Sequence, residues 1–198
     1  MRIQETELYH FDELSEDAQQ KAIDNNRNWN TEGLDWWDAV YDDAKQIAEI
    51  LGIEIDNIYF SGFSSQGDGA CFVGRYRYTP QCRQKIREYA PQDTNLHKIA
   101  DGLASLQRKW FYRLEATVTH QGHYSHEYCT NIDVTERDES VNATRPLPED
   151  ELSELLRDFM QWIYASLERE YEYLESDEVV AESLIVNECE FTKDGENA

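Results

Sequence analysis

Residues 58–74, with the sequence IYFSGFSSQGDGACFVG, constrain the fold more than any other stretch of the chain. Aromatic and β-branched residues at both ends are typical of strands, and the middle contains glycine, serine, glutamine and aspartate. Glycine permits backbone angles and close approaches that a side chain would forbid. The pattern therefore predicts a β-hairpin with strands over residues 53–63 and 70–78, joined by a loop of defined conformation.

Apolar residues at spacings of three and four predict helices around this hairpin, because that spacing places them on one helical face. Ser15, Pro80 and Thr94 stand where predicted helices begin, since a capping hydroxyl or a proline ring favours the first turn. A glycine at position 52 would end the second helix. The predicted helices are residues 15–28, 35–51, 80–89, 95–109 and 148–174, with a further short helix from Ser176.

Alternation of apolar and polar residues predicts a second hairpin over residues 112–120 and 124–134, with its turn at residues 121–123. Runs at residues 3–11 and 184–191 predict terminal strands. Hairpins that are segregated from helices argue against a doubly wound parallel sheet. We therefore predict an α+β fold, in which a small antiparallel sheet from two hairpins plus terminal strands packs against several helices on one face.

The 198 residues fit a single domain, and 40% hydrophobic residues with 12% aromatics are enough to fill a core. Within this domain we predict an α+β core that contains both hairpins and a polar loop that contains two prolines. Acidic helices and a final strand would follow the loop. The predicted segments are residues 1–136 for the core, 137–148 for the loop and 149–198 for the acidic C-terminal part.

The chain is strongly acidic, with a net charge of −23 at pH 7. Residues 133–198 contain 20 acidic and 5 basic residues, so most of the negative charge belongs to the C-terminal third. This charge repels phosphates and disfavours direct binding to nucleic acid, but it favours a partner protein with a basic surface. One basic cluster could pair internally, with the acidic C-terminal element, or meet a carboxylate or phosphate: Arg75, Arg77, Arg83, Lys85 and Arg87.

The acidic side of the long C-terminal helix has three interpretations. It can be a solvated face that keeps the protein in solution. Its carboxylates can imitate the phosphates of a nucleic acid and occupy the basic groove of a host enzyme. It can also complement one basic toxin or regulator. The residues that would form this acidic surface are Glu151, Glu154, Asp158, Glu168, Glu172 and Glu175.

The glycine-rich loop has three interpretations as well. Its amides could bind an anion, but the Walker sequence and a GxGxxG fingerprint that opens a helix are both missing. It could be a rigid hairpin tip, with Asp68 accepting backbone hydrogen bonds and Gly67 and Gly69 at positive φ. It could also be a contact loop for a protein. The side chains that such a binding surface would present are Ser64, Ser65, Gln66, Asp68 and His123.

Residues 120–129, HQGHYSHEYC, concentrate three imidazoles, a carboxylate and a thiol. Such side chains are the usual ligands of zinc and related ions. In a hairpin centred near His123, the rings of His120 and His126 would face one another and could share a metal, with Glu127 nearby. Turn and cross-strand contacts are the alternative, which the missing HExxH motif favours. We expect no cofactor.

The sequence contains no recognised signature of catalysis or of membrane insertion. Ser64 and Ser65 lie on a loop instead of a strand-to-helix nucleophile elbow, which argues against a hydrolase. Cys71 lies in an apolar run and is expected to be a buried thiol. Four widely spaced cysteines, no signal peptide and no apolar run of about 18 residues favour a cytoplasmic protein with reduced thiols.

Four blocks of the sequence resemble a known family. They are FDELS at residues 11–15, IYFSGFSSQGDGACF at 58–72, YAPQD at 89–93 and GHYSHE at 122–127. These blocks resemble small proteins of bacteriophages and prophages that are often labelled as the antitoxin of a toxin–antitoxin stability system. The resemblance covers roughly the first two-thirds of the chain and does not reach the acidic region after residue 145.

The resemblance implies a phage-type accessory protein that acts in the bacterial host cytoplasm by binding host machinery. Together with the charge, it favours a non-enzymatic inhibitor of a host protein, such as a nucleic-acid mimic that antagonises a defence system. An antitoxin that neutralises a toxin is the same class with another partner. The rival hypothesis is a metal-dependent or nucleotide-handling enzyme, which would need the glycine-rich loop and the histidines to converge on a pocket.

Overall fold

A computed structural model describes residues 7–33, 35–137 and 146–198, and it confirms the α+β class. The described residues form six α-helices, a four-stranded antiparallel sheet and a two-stranded antiparallel sheet. The chain divides into two compact units. The smaller unit combines Met1–Asp38 with Arg169–Ala198, and the larger unit is Ala39–Glu168.

The larger unit contains the elements that position the candidate site. Two hairpins of its sheet are separated along the chain by a pair of helices. The elements are α2 Asp38–Leu51, β2 Ile53–Phe60, β3 Ala70–Arg77, α3 Cys82–Tyr89, α4 Thr94–Lys109, β4 Leu114–His120, β5 Thr130–Glu136 and α5 Glu149–Leu174, which starts in this unit and ends in the smaller one.

The four-stranded sheet has the order β2-β3-β4-β5, with every neighbouring pair antiparallel. The first predicted hairpin is confirmed, because β2 and β3 pair from Ile53↔Tyr76 to Phe60↔Ala70. The second hairpin also forms, but β5 begins at Thr130 instead of residue 124. Both hairpin loops, residues 61–69 and 121–129, consequently lie at the same end of the sheet.

One face of the sheet packs against helices and the other carries polar side chains. On the buried face, the Phe72 ring of β3 contacts Phe159 of α5, with ring centroids 6.0 Å apart. Tyr76 lies on the same strand, and its hydroxyl accepts a hydrogen bond from Gln107 of α4 at 3.3 Å. Strand alternation turns Arg75 and Arg77, on either side of Tyr76, to the other face, where both are exposed. At least two helices therefore cover the same face, as predicted.

The turn after α4 holds two aromatic residues in a conformation that L-residues rarely adopt. Phe111 and Tyr112 have φ angles of 52° and 62°. The Tyr112 amide donates to the Gln107 carbonyl at 2.7 Å, and the buried Gln107 side chain donates to the Leu114 carbonyl at 2.7 Å. The Phe111 side chain nevertheless remains 74% exposed. The backbone of this turn is fixed, but the Phe111 ring contributes little to the core.

The smaller unit joins the two ends of the described chain. Strand β1, Tyr9–His10, pairs with β6, Glu190–Phe191, instead of extending the larger sheet. Helices α1, Glu16–Asn25, and α6, Asp177–Val186, complete the unit. Its core consists of Phe11, Leu14, Ala18, Ala22, Ile23, Val180, Leu184 and Phe191.

Several predicted boundaries are wrong for local physical reasons. The helix predicted from residue 35 begins at Asp38, and Trp36 before it is half-buried against Tyr171, with ring centroids 5.4 Å apart. The cap of α4 is Asp93 instead of Thr94, because the Asp93 carboxylate accepts the amide hydrogens of residues 95 and 96 at 3.0 Å. Helix α3 begins at Cys82, because Gln81 before it is left-handed.

The end of the chain is more helical than predicted. The run over residues 184–191 was expected to form a strand, but α6 continues to Val186 and the strand is only Glu190–Phe191. Residues 3–6 of the predicted first strand and residues 138–145 of the predicted loop lie outside the described residues. In the part of the chain that the structure describes, no helix combines the length and the apolar composition that crossing a bilayer requires.

Candidate functional site

The two hairpin loops that the sequence analysis treated separately are in direct contact. A Cβ atom on Gly69 would lie 2.6 Å from the Cα atom of His126. A Cβ atom on Gly67 would overlap the ring of Tyr124. Any larger residue at these two positions would have to push the second loop away. We call residues 61–69 and 121–129 together the paired-loop site.

Asp68 fixes the shape of the first loop. Its Oδ2 atom accepts the backbone N–H of Ser64 at 2.9 Å and that of Ser65 at 2.6 Å. The Asp68 amide donates in turn to the Ser65 carbonyl at 3.1 Å. These amides are already paired with a carboxylate, so they are not a free nest for an external anion. The predicted capping role of Asp68 is confirmed.

The glycines on either side of Asp68 serve different purposes. Gly67 has a φ angle of 91°, which agrees with the predicted positive angle. The same prediction for Gly69 is wrong, because its φ angle is not in the left-handed region. Gly69 is needed because the backbone of His126 approaches it closely. The loop therefore depends on one glycine for its conformation and on the other for space.

The first loop is anchored at Phe63 and exposed beyond it. The Phe63 ring contacts Phe60 of β2, with centroids 4.9 Å apart, and Tyr164 of α5, with centroids 5.5 Å apart. The predicted contact residues Ser64, Ser65 and Gln66 are all exposed. The loop therefore presents three polar side chains from a fixed backbone, whereas Asp68 itself is half-buried.

The predicted pairing of the histidines is wrong. His120 lies opposite Thr130 in the β4–β5 register, so it does not face His126 across the hairpin. Residues 127–129 form a 3-10 turn instead of a strand, and His126 caps this turn by accepting the Tyr128 amide hydrogen on Nδ1 at 3.2 Å. The capped turn ends the alternation that the sequence pattern suggested for residues 124–134.

The three predicted metal ligands are each engaged with a different partner. The His120 ring stacks on Tyr59 with centroids 4.5 Å apart, and its Nε2 lies 2.8 Å from the Tyr124 carbonyl oxygen. Glu127 accepts a hydrogen bond from Gln161 at 3.1 Å. His126 contacts Cys129. Among the described residues, no group of three or more His, Cys, Asp or Glu side chains is placed to hold a metal ion.

Exposed aromatic rings extend the paired-loop site beyond the predicted residues. His123 is exposed at the tip, next to Tyr124, which is 53% exposed. Tyr128 is 62% exposed, and the guanidinium of Arg157 lies over its ring, 5.1 Å from the centroid. The alternation in the sequence predicts these tyrosines in a strand, where they would not form an exposed group. Their position between polar loop residues was the signal that could have revealed them.

The acidic side of α5 is exposed as predicted, with one exception. Five predicted carboxylates within α5 fall in an arc of about 100° on an ideal helix, opposite the buried apolar residues. All five are exposed. Glu175, just beyond α5, is half-buried and accepts a hydrogen bond from Thr31 at 3.2 Å. The exposed residues of this acidic face are Glu151, Glu154, Asp158, Glu168 and Glu172.

The charges on this face are crowded, and two of them have basic neighbours: the Glu154 carboxylate lies 3.2 Å from the Arg157 guanidinium, and Glu151 lies near Lys109. Partial burial, and then the neighbouring Glu154 carboxylate, raise the pKa of Asp158. Glu151 lies 3.7 Å from Lys109, and both side chains are more than 60% exposed. Solvent screens such an exposed pair, so it adds little stability. The acidic face therefore keeps a net negative charge.

The basic cluster pairs internally, but not with the predicted partner. Arg83 and Arg87 each lie 2.8 Å from the Asp101 carboxylate, and these hydrogen bonds lower the pKa of Asp101. Arg77 lies 3.0 Å from Glu115. The predicted pairing with the acidic C-terminal element is not observed for these three residues, whose partners are on α4 and β4.

A family model matches residues 36–177, which is more than two thirds of the chain. The chain belongs to the DUF8835 family, which is defined by a domain of unknown function. No curated protein and no solved structure matches the chain.

The DUF8835 match contains the larger unit, Ala39–Glu168, in full. The paired-loop site and all of α5 therefore belong to the family domain. Helix α1 lies outside the match, and α6 shares only its first residue with it. Both surfaces that could carry a function are thus features of the DUF8835 domain instead of its flanking segments.

Proposed function

We propose that this DUF8835 protein is a non-enzymatic, phage-type accessory protein that binds and inhibits a host protein in the bacterial cytoplasm. Its acidic face would occupy a basic groove as a nucleic acid does, and the inhibited host protein would belong to a defence system. The observation that supports this proposal best is the row of five exposed carboxylates on one side of α5. A surface of this kind attracts a basic partner and repels nucleic acid itself.

The rival enzyme hypothesis has less support from the geometry. Asp68 is occupied by two backbone amides, and Glu127 is held by Gln161. His120 is stacked on Tyr59, away from His126. The paired loops do converge, but they do so by direct packing of Tyr124 and His126 against Gly67 and Gly69. These contacts give the residues of the enzyme hypothesis structural roles in a rigid surface.

An antitoxin is the second candidate, because the first loop carries the sequence block that resembles that group of phage proteins. In this case the exposed side chains of the paired-loop site would contact a toxin. The exposed residues Ser64, Ser65, Gln66 and His123 suit such a contact, since none of them is part of the core. The partner would then be a toxin, and DNA would not compete with the protein for it.

Affinity capture from a bacterial lysate tests the proposal when it is combined with matched charge variants. The α5 variant carries Asp158→Asn, Glu168→Gln and Glu172→Gln, which neutralise three residues of the acidic face. The control variant carries Glu54→Gln, Asp56→Asn and Asp133→Asn, which neutralise three exposed carboxylates of β2 and β5. Both variants change the net charge equally, so only the position of the lost charge differs.

We expect the wild-type protein and the control to retain a basic, nucleic-acid-binding protein at low salt. The α5 variant should lose it, and duplex DNA or high salt should release it, because both screen or compete for the same charges. Equal retention by all three proteins would refute the mimic proposal. A partner that resists DNA competition but is lost on changing Ser65 or His123 would favour the antitoxin instead.

A further inference from the structure

The paired-loop site contains a contact that the binding proposal does not use. The Sγ atom of Cys129 lies 3.2 Å from the Nε2 atom of His126. Both residues are half-buried, and both lie on the 3-10 turn and its cap. From the sequence alone, Cys129 is only a possible metal ligand. Its pairing with His126, three residues earlier, is a separate feature of the site.

The backbone amide of Tyr128 determines which ring nitrogen of His126 carries the proton. Nδ1 accepts the amide hydrogen of Tyr128 at 3.2 Å, so it cannot carry the proton of the neutral ring. That proton is consequently on Nε2, which points at Cys129 Sγ. An N–H donor at this distance stabilises negative charge on the sulfur as it attacks. The thiolate is the form of cysteine that attacks electrophiles.

The pair is held in place from two sides. The Cys129 amide donates to the His126 carbonyl at 2.9 Å, which closes the turn between them. On the other side, the backbone of His126 packs against Gly69, where a Cβ atom would lie 2.6 Å from the His126 Cα. The contact between sulfur and imidazole is therefore part of the paired-loop packing.

The other three cysteines lie in surroundings that favour the protonated thiol. Cys71 and Cys82 are buried, and burial raises the pKa of Cys71 to about 12 and also raises that of Cys82. Cys189 is half-buried like Cys129, and burial raises its pKa too. Among the described residues, Cys129 is the cysteine that a histidine ring contacts within hydrogen-bond distance. The other three cysteines therefore serve as internal controls for the reactivity of Cys129.

We propose that Cys129 is a nucleophilic thiol and the principal site at which small electrophiles, including hydrogen peroxide, modify this protein. With peroxide, the thiolate sulfur attacks one oxygen, a sulfur–oxygen bond forms and the oxygen–oxygen bond breaks. Sulfur loses two electrons to the peroxide, and the departing hydroxide takes up the proton released by the thiol. The products are a sulfenic acid and water.

Labelling of the folded full-length protein with iodoacetamide tests the proposal. Arg75, Arg83 and Arg137 separate the four cysteines, so each one falls in a different tryptic peptide. Mass spectrometry then gives four rates from one sample. We expect Cys129 to react at least about ten times faster than Cys189, whereas Cys71 and Cys82 remain protected. Equal rates for Cys129 and Cys189 would overturn the proposal.

Two histidine variants distinguish the effect of the His126 imidazole on the Cys129 rate from the effect of solvent accessibility. His126→Leu removes the donor and should reduce the Cys129 rate to within about threefold of the Cys189 rate. His123→Leu removes an exposed imidazole of the same loop and should leave the Cys129 rate unchanged. Cys71 reports on folding, because it would begin to react if His126→Leu opened the structure. An undiminished Cys129 rate in His126→Leu with Cys71 still protected would refute the role of His126.

If His126→Leu does open the structure, the peroxide experiment on the wild-type protein still decides the matter. Dimedone traps sulfenic acids, and the dimedone adduct should form on the peptide that contains Cys129 before it forms on that of Cys189. Adduct formation on Cys189 first, or on both at equal rates, would contradict the proposal. Loss of partner capture by the α5 variant has no bearing on these rates, so the two proposals fail independently.

Discussion

At the scale of single residues, the first loop depends on one carboxylate. Asp68 accepts two backbone hydrogen bonds on one oxygen, and no other described side chain satisfies the amides of Ser64 and Ser65. Asp68→Ala should lower the free energy of unfolding by about 1 kcal/mol, since both amides would lose their partner. Denaturant unfolding of the purified variant measures this change.

Asp68→Asn is the matched control for that loss. An amide oxygen at the same place can still accept the two hydrogen bonds, although more weakly than a carboxylate. We expect Asn to restore at least half of the stability that Ala loses. If Ala and Asn are equally destabilising, the negative charge matters more than the hydrogen bonds. If neither changes stability, the capping role of Asp68 is refuted.

Phe111, in contrast to Asp68, lowers the stability of the folded protein. Its left-handed backbone strains any residue with a Cβ atom, and its exposed ring recovers little of that cost by burial. Phe111→Gly should therefore raise the free energy of unfolding by about 0.5–1 kcal/mol. Phe111→Ala keeps the Cβ atom and should show no gain in the same thermal or denaturant melt. A loss on Gly substitution would mean that the ring makes stabilising contacts.

At the scale of elements, ionised carboxylates on the acidic face of α5 lower the stability of the folded protein. Burial and Glu154 raise the folded pKa of Asp158, so the folded state binds its proton more tightly than the unfolded chain does. Ionisation therefore opposes folding at neutral pH and not at low pH. Asp158→Asn should raise the free energy of unfolding at pH 7 by less than about 1 kcal/mol. This gain should shrink as the pH falls towards about 4.

Asp101 on α4 provides a control of opposite sign. Hydrogen bonds from Arg87 and Arg83 lower its folded pKa below 3.8, so its ionised form contributes stability above that pH. Asp101→Asn should lower the free energy of unfolding by about 0.5–1 kcal/mol at pH 7. The loss should shrink as the pH falls below about 4. If the two variants change stability with the same sign at pH 7, the assignment of the variant with the unexpected sign is refuted.

The elements with strong local patterns were predictable from the sequence. The apolar stripe of α5 and the alternation of β3 reflect contacts that repeat at fixed spacing, so periodicity alone locates them. The 3-10 turn over residues 127–129 was not predictable, because its cap is an imidazole and its neighbour, Gly69, is distant in sequence. The same holds for β1 and β6, which are two residues long and depend on each other.

The candidate site was predictable only in part. Asp68 was correctly interpreted as a cap, since aspartate beside glycine is typical of tight turns. The contact between the two loops was missed, because it follows from the strand order, which local patterns do not determine. The predicted pairing of His120 with His126 is wrong for a related reason. The β4–β5 register depends on where β5 begins, and the 3-10 turn over residues 127–129 determines that start.

At the scale of the whole molecule, the net charge of −23 should weaken folding at low ionic strength. Raising NaCl from about 0.01 M to about 0.1 M shortens the screening length from about 30 Å to about 10 Å, which reduces repulsion between distant carboxylates. We expect the melting temperature to rise over this range. A falling melting temperature would mean that attractive ion pairs outweigh the repulsion.

The triple control variant with Glu54→Gln, Asp56→Asn and Asp133→Asn calibrates this effect. It has three fewer negative charges, so its melting temperature should depend less steeply on salt than that of the wild-type protein. The α5 variant should show a similar reduction, because long-range repulsion depends mainly on total charge. An identical salt dependence in all three proteins would show that the carboxylates do not destabilise the fold collectively.

The pairing of β1 with β6 dictates an order of events during synthesis. Helix α1 and β1 leave the ribosome before the larger unit is made, but their partners, α6 and β6, are translated only after it. At about 5–20 residues per second, the intervening chain takes roughly 10–30 s to make. The larger unit, Ala39–Glu168, can fold during that interval. Helix α1 must wait, with its apolar side uncovered, until α6 has been translated.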